Sequence, residues 1–103
     1  MKGTETGICP LCDSIAELEG GLVSGNEPPF GRVTCPTCQT YEIADDVEAR
    51  LERNPAMKAR AKFVAAASRR EALEGGRLRI LDEIDFRLIA NTEEALQREE
   101  AGS

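Results

Sequence analysis

Between Asp45 and Ala90, apolar residues recur at three- and four-residue spacing among many charged ones, the pattern of helices with one buried face. Asp45, with Glu48 three residues on, resembles a capping box, so a first helix is expected to start there and to stop by Asn54-Pro55. Asn54 then serves as N-cap, with Pro55 at the first helical position, and opens a second helix reaching about Leu73 before Gly75-Gly76. A third helix is expected over residues 77–90, with Ile80, Leu81, Ile84 and Leu88 on one face. A break at Asn91 or Thr92 then precedes a short polar helix over residues 93–100. The glycine pair predicts an antiparallel helical hairpin.

Before residue 44 the pattern changes. Short apolar runs at 21–24 and 31–34 read as strands, the residues between them (25–29) supply turn chemistry, and 41–43 adds a third strand. All four cysteines, four of the five prolines and six of the nine glycines lie in residues 1–43, so the composition shifts near Ala44. A small α+β chain is expected: an N-terminal part (1–43) of short antiparallel strands, then a helical part (44–103) of three to four helices.

The chain has 103 residues, 41% hydrophobic but only 4% aromatic, so a core has to be built from aliphatic residues and alanines. Its formal net charge is −6, which counts against nonspecific nucleic-acid binding, because phosphate neutralisation supplies most of that affinity. It has no His, which removes the commonest general base. Met1 to Ile8 holds no long apolar run, and no stretch approaches the roughly 20 apolar residues of a membrane span. A cytoplasmic setting is expected, where four cysteines point to metal or redox chemistry rather than to a disulfide framework.

The cysteines form two matching units, Cys9-Pro10-Leu11-Cys12 and Cys35-Pro36-Thr37-Cys38, separated by 22 residues. Two cysteines with two residues between them can place both sulfurs about 2.3 Å from one ion while the turn aims backbone N–H groups at the thiolates. Pro after the first Cys fixes φ in that turn. Two such turns give tetrahedral S₄ coordination of one structural Zn²⁺ by Cys9, Cys12, Cys35 and Cys38. Three alternatives use the same residues: a pair of disulfides, a thioredoxin-like redox pair, and a rubredoxin-like iron site. The first two need, respectively, strained Cys-x-x-Cys bridges and a motif opening a helix in a βαβ setting.

Residues 8–43 resemble a zinc ribbon, the family of paired cysteine knuckles on a small antiparallel sheet, the four cysteines matching the family's four ligands. Asp13 and Gln39 stand where family knuckles often carry Gly. The spacing of the first three cysteines is also similar to small phage zinc-finger transcription activators, which widen the second pair. Zinc ribbons serve nucleic-acid binding, polymerase assembly and protein docking, so the resemblance does not select among them.

Two surfaces are candidates for contact. Lys58, Lys62 and Arg69 fall on one face of the second helix, with Arg70 beside them, and could track phosphate or an acidic partner; equally, they could face solvent or pair with Asp82, Glu83 and Asp85. Met57, Phe63 and Val64 are expected to pack on Ile80, Leu81, Ile84 and Leu88, leaving Leu78, Phe86 and Ile89 as an exposed interface. The densest carboxylates lack a companion nucleophile or His, and four thiolates close a metal's shell, so no enzymatic activity and no small-molecule substrate is expected. The expected role is a zinc-binding adaptor or accessory protein that docks onto a protein partner or self-associates through its helices. The alternative is a DNA- or RNA-binding regulator using the basic helix over residues 53–70.

Overall fold

A computed structural model of the chain describes residues 4–20 and 30–102; the strand expected at 21–24 and the turn at 25–29 lie outside the described residues. Four antiparallel strands run in sequence order: β1 (Thr4–Ile8), β2 (Ile15–Gly20), β3 (Phe30–Cys35) and β4 (Gln39–Ala44). β3 alternates cleanly, with Gly31, Val33 and Cys35 buried and Phe30, Arg32 and Thr34 exposed, the period-2 signature of a sheet covered on one face. β4 follows suit with Tyr41 and Ile43. In β1 and β2 the pair Gly7 and Ala16 is small, and half-buried Leu18 sits opposite exposed Glu5, so the apolar alternation is faint, and these two strands were absent from the expected elements.

Three helices follow β4: α1 (Asp45–Arg53), α2 (Pro55–Ala59) and α3 (Ala61–Leu73). α1 buries Val47 and Leu51, one turn apart. Its N-cap is Ala44 with no side-chain cap, so Asp45 and Glu48 do not form a capping box. With Asp46 they sit in the first turn, where negative charge favours the helix dipole, and Arg50 and Arg53 sit in the last. Asn54 caps α2 as expected, its Oδ1 accepting from the Met57 N–H at 3.1 Å, with Pro55 next. The single helix expected from Pro55 to Leu73 is broken at Arg60 (φ −93°, ψ −3°), where bonds from Arg60 N to Met57 O and from Phe63 N to Arg60 O tighten the turn. α3 ends in a Schellman motif: Gly76 N bonds to Glu71 O, Gly75 N bonds to Ala72 O, and Gly75 takes φ +84°.

The segment expected as a third helix divides in two. Residues 78–80 form β5 (Leu78–Ile80), parallel to β4, and α4 (Glu83–Gly102) begins after it and runs unbroken past Asn91 and Thr92. Arg77 and Arg79 both pair with Glu42 on β4, fastening β5 to the sheet edge. Asp82 caps α4, its Oδ1 accepting from Asp85 N at 2.8 Å while Asp85 Oδ2 accepts from Leu81 N at 3.0 Å. Asp82-Glu83-Ile84-Asp85 was therefore the true helix-start signal. Because the helix starts there, its buried face carries Phe86 (2% exposed) and Ala90, with Ile89 packed against them, whereas Ile84 (62%) and Leu88 (59%) point outward, as does Leu81 (55%) before the helix. The expected core face and the expected interface are thus exchanged. Ile80 is buried, but from the sheet; Phe86 is core; Leu78 and Ile89 are half-buried against it.

β5 belongs to the C-terminal part yet completes the N-terminal sheet, and α3 packs on α4, so both parts share one core running from Cys9 and Val33 through Tyr41, Leu51 and Val64 to Phe86. No helix among the described residues is long and apolar enough to cross a membrane.

The phase of α4 is directly testable by urea unfolding. Phe86→Ala is expected to lower stability by about 3–5 kcal/mol, the usual loss for a buried aromatic. Ile84→Ala and Leu88→Ala should change it by about 0.5 kcal/mol or less, since neither side chain is covered. Comparable losses at Phe86 and Leu88 would contradict the helix orientation.

Candidate metal centre

Each Cys-Pro-x-Cys unit forms the tip of a hairpin. Cys9 to Ser14 joins β1 to β2, closing at the Ile8–Ile15 pair, and Pro36 to Cys38 joins β3 to β4, closing at Cys35–Gln39. β2 starts where β3 ends, since the two run antiparallel, so both tips lie at the same end of the sheet. The chain direction therefore brings together cysteines far apart in sequence.

The four sulfurs, Cys9, Cys12, Cys35 and Cys38 Sγ, all lie within 4.8 Å of one another. Cys9 and Cys38 are 3.8 Å apart, and Cys12 and Cys35 are 3.4 Å apart. A tetrahedral thiolate site with metal–sulfur bonds of about 2.3 Å separates its sulfurs by about 3.8 Å. The donor set therefore fits one metal ion. All four cysteines are free, and three are fully buried, with Cys12 half-buried. The arrangement is compatible with a zinc-ribbon-like site.

Both knuckles place a non-glycine residue in the left-handed region, Asp13 at φ +64° and Gln39 at φ +67°, the two positions where Gly was expected. An L-residue there carries roughly 1–2 kcal/mol of strain. The first knuckle offsets it with bonds from Asp13 N to Cys9 O and from Cys9 N to Ser14 O, and by an ion pair between the Asp13 carboxylate and Lys58 Nζ at 2.8 Å. Gln39 uses its own side chain, Nε2 donating to Pro36 O at 3.4 Å.

Hydrogen bonds aimed at the sulfurs complete the centre. The Cys38 N–H lies 3.5 Å from Cys35 Sγ. The fully buried Tyr41 hydroxyl lies 3.1 Å from Cys9 Sγ, and its proton is held firmly by burial and by the negative Cys9 beside it, so it donates to that sulfur. Without metal, the contact with Cys38 and the bond with Tyr41 hold the Cys9 thiol down to about 5 against the opposing effect of burial. Cys38 is pushed far up by its hydrogen-bond contact with Cys9 and by burial, and Cys35 is pushed up by burial. The pocket thus concentrates negative charge on one sulfur and keeps protons on its neighbours, the state a cation would replace.

Two side chains, Lys58 and Ser68, fasten the knuckles to the helices, a role read for neither from sequence. Lys58 on α2 donates to Pro10 O at 2.6 Å as well as pairing with Asp13. Ser68 on α3, fully buried, donates its hydroxyl to Cys38 O at 2.7 Å. Lys58 is therefore engaged at the first knuckle. Arg70 is likewise engaged, in a two-bond fork with the buried Glu93 carboxylate. Lys62 and Arg69 are exposed, Lys62 lying over the Phe63 ring. The expected basic stripe is thus half used within the chain. Tyr41 lies in the strand expected at 41–43, directly after the second knuckle, though its facing was not read, while nothing in sequence marked Ser68.

Two outcomes follow. Gln39→Gly should stabilise the chain by about 0.5–1 kcal/mol in urea unfolding, the strain relieved less the entropy of a glycine. Asp13→Gly should gain less, because it also loses the Lys58 pair. Secondly, metal must displace protons from the raised Cys35 and Cys38 thiols, so affinity should fall with pH, about tenfold per unit for each proton displaced. Competition with a chelator between pH 8 and 6 measures this, and a flat profile would mean that the thiolates are already formed without metal.

In comparisons with known proteins, no family model matches the chain, and neither a curated protein nor a solved structure matches it, so the reading of this centre rests on its four sulfurs.

Proposed function

We propose that the chain is a structural zinc protein, holding one Zn²⁺ through Cys9, Cys12, Cys35 and Cys38 and acting as a binding module rather than an enzyme. The convergence of four sulfurs within 4.8 Å carries the reading. Zinc is preferred over iron because the centre lies inside the chain's own hydrophobic core, where a redox-inert ion serves as a cross-link. Four thiolates complete a tetrahedral shell and leave no coordination position for substrate, the arrangement of a structural rather than a catalytic ion.

The wider role that fits is an adaptor or accessory protein of the cytoplasm, binding a protein partner or a second copy of itself. Its support is the strip of exposed apolar side chains at Leu81, Ile84 and Leu88, which the fold leaves uncovered. The nucleic-acid reading draws less support, since Lys58 and Arg70 are engaged within the chain and the net charge is −6.

Elemental analysis together with native mass determination tests both levels. One zinc per chain, lost on chelation with a cooperative loss of helical signal in circular dichroism, is the expected result, because the ligands and the helices share one core. Iron would replace the ion while keeping the site, and metal-free protein with freely reactive cysteines would overturn the reading. The same mass reports self-association. Salt-sensitive retention of the chain on DNA or RNA, lost in Lys62→Glu with Arg69→Glu, would move the nucleic-acid role to the front.

A further inference from the structure

Tyr41 is fully buried on β4, the strand that leaves the second knuckle, and it is the chain's only tyrosine. Its backbone pairs with Val33 on one side and Leu78 on the other, which places it in the middle of the apolar core. A phenylalanine would fill that place without taking a hydroxyl out of water. Among the described residues the hydroxyl has one partner, Cys9 Sγ at 3.1 Å, and Cys9 belongs to the first knuckle. A neutral thiol is a weak acceptor, whereas a thiolate accepts a strong, charge-assisted bond. The hydroxyl is therefore well satisfied only when Cys9 is a thiolate, its state as a metal ligand.

The charge of the centre gives this bond its weight. Four thiolates around a divalent ion leave an excess of negative charge, here among cysteines of which three are buried. Among the described residues no Lys or Arg side chain hydrogen-bonds to a sulfur; Lys58, at the first knuckle, bonds to Pro10 O and Asp13 instead. The offset falls to N–H and O–H donors, the Leu11 and Cys12 backbone at Cys9 and the Thr37 and Cys38 backbone at Cys35. Cysteines aside, Tyr41 is the one side chain of the described residues that joins them.

We infer that Tyr41 is a positioning residue of the centre, donating from the second hairpin to the Cys9 thiolate of the first and so determining how tightly a divalent ion is held. The inference rests on the metal reading above. Two effects act together. The bond draws negative charge off the Cys9 sulfur, so burial penalises the loaded centre less. It also fixes Cys9 across the gap between the hairpins, so a ligand of the first pair is already placed against the second.

The test uses the full-length chain and two variants. Tyr41→Phe removes one oxygen and keeps the ring; Ile43→Val trims a buried residue of the same strand that makes no bond to a sulfur. Native mass determination with zinc first establishes one ion per parent chain. In chelator competition Tyr41→Phe should hold zinc about tenfold more weakly, the usual loss when a partner of a metal ligand is removed. Cobalt in place of zinc supplies a readout that a packing change leaves alone. The sulfur-to-cobalt charge-transfer band should move to lower energy in Tyr41→Phe, because the Cys9 sulfur keeps more of its charge, and stay in place in Ile43→Val. With one tyrosine and no tryptophan in the chain, the tyrosine ring doublet in the Raman spectrum of the zinc-loaded parent reports the bond directly and should read as a donor. An unshifted band, an unchanged zinc affinity or a phenol that reads as an acceptor would each overturn the inference while leaving the metal reading intact. A parent chain that binds no ion would remove that reading and the inference with it, and the native mass tells these two failures apart.

Discussion

Four sulfur atoms held within 4.8 Å of one another at one end of a sheet set the conditions for the residues around them. Four thiolates at that spacing repel strongly in a site shielded from water, and four thiols would leave a cluster of weak donors without good acceptors. Without metal the conflict is resolved unevenly, with Cys9 negative and Cys38 and Cys35 holding protons above the usual thiol range. A divalent cation resolves it evenly. The pocket is built for an ion in its sulfur spacing, its burial and its donors alike.

That centre is not an appendage to the helical part. Lys58 reaches from α2 to the first knuckle and Ser68 from α3 to the second, so each hairpin tip is tied to a different helix. The break at Arg60 matters to this arrangement. It separates α2 from α3, and it lets the Arg60 side chain turn to Asn91 and Glu94 on α4 while Lys58 turns to the sheet. β5, pinned by Glu42 through Arg77 and Arg79, then returns the chain to the sheet before α4 closes over it. The geometry of the cysteine cluster and the packing of the helices are consequently tied together, since each knuckle is held by a side chain from a helix.

How far the sequence disclosed this depended on how local each signal was. Spacing within the chain singled out the four cysteines whose sulfurs the fold brings together, because a Cys-x-x-Cys turn carries its geometry in four residues. Asn54-Pro55 and the glycines at 75 and 76 marked helix ends for the same reason. β1 and β2 were invisible because Gly7 and Ala16 fill inward positions that larger residues would have announced; a Cβ at Gly7 would meet Leu18 Cδ1 at 2.6 Å. The stretch from Arg77 to Leu88 misled for a different reason. Leu78 and Ile80 are spaced as in a strand, yet each also falls in helical phase with apolar residues further on, Ile80 with Ile84 and Leu78 with Ile89, and only pairing with β4 decides between the two. Once three residues are taken for a strand, the helix starts at Asp82 instead, and the identity of its buried face passes to Phe86 and Ala90.

The exchange of faces on α4 bears on what the module does. A helix whose outward face carries Ile84 and Leu88, with Leu81 just before it, retains apolar surface that the chain's own sheet does not cover. The inward face is different: Phe86 and Ala90 pack into the core, and Glu93 lies buried in a fork with Arg70, a pair that fixes the register between α3 and α4. The metal centre and this ion pair sit at opposite sides of the same helix, α3, one through Ser68 and the other through Arg70. α3 thereby connects the cysteine cluster to the helix that presents the open apolar strip.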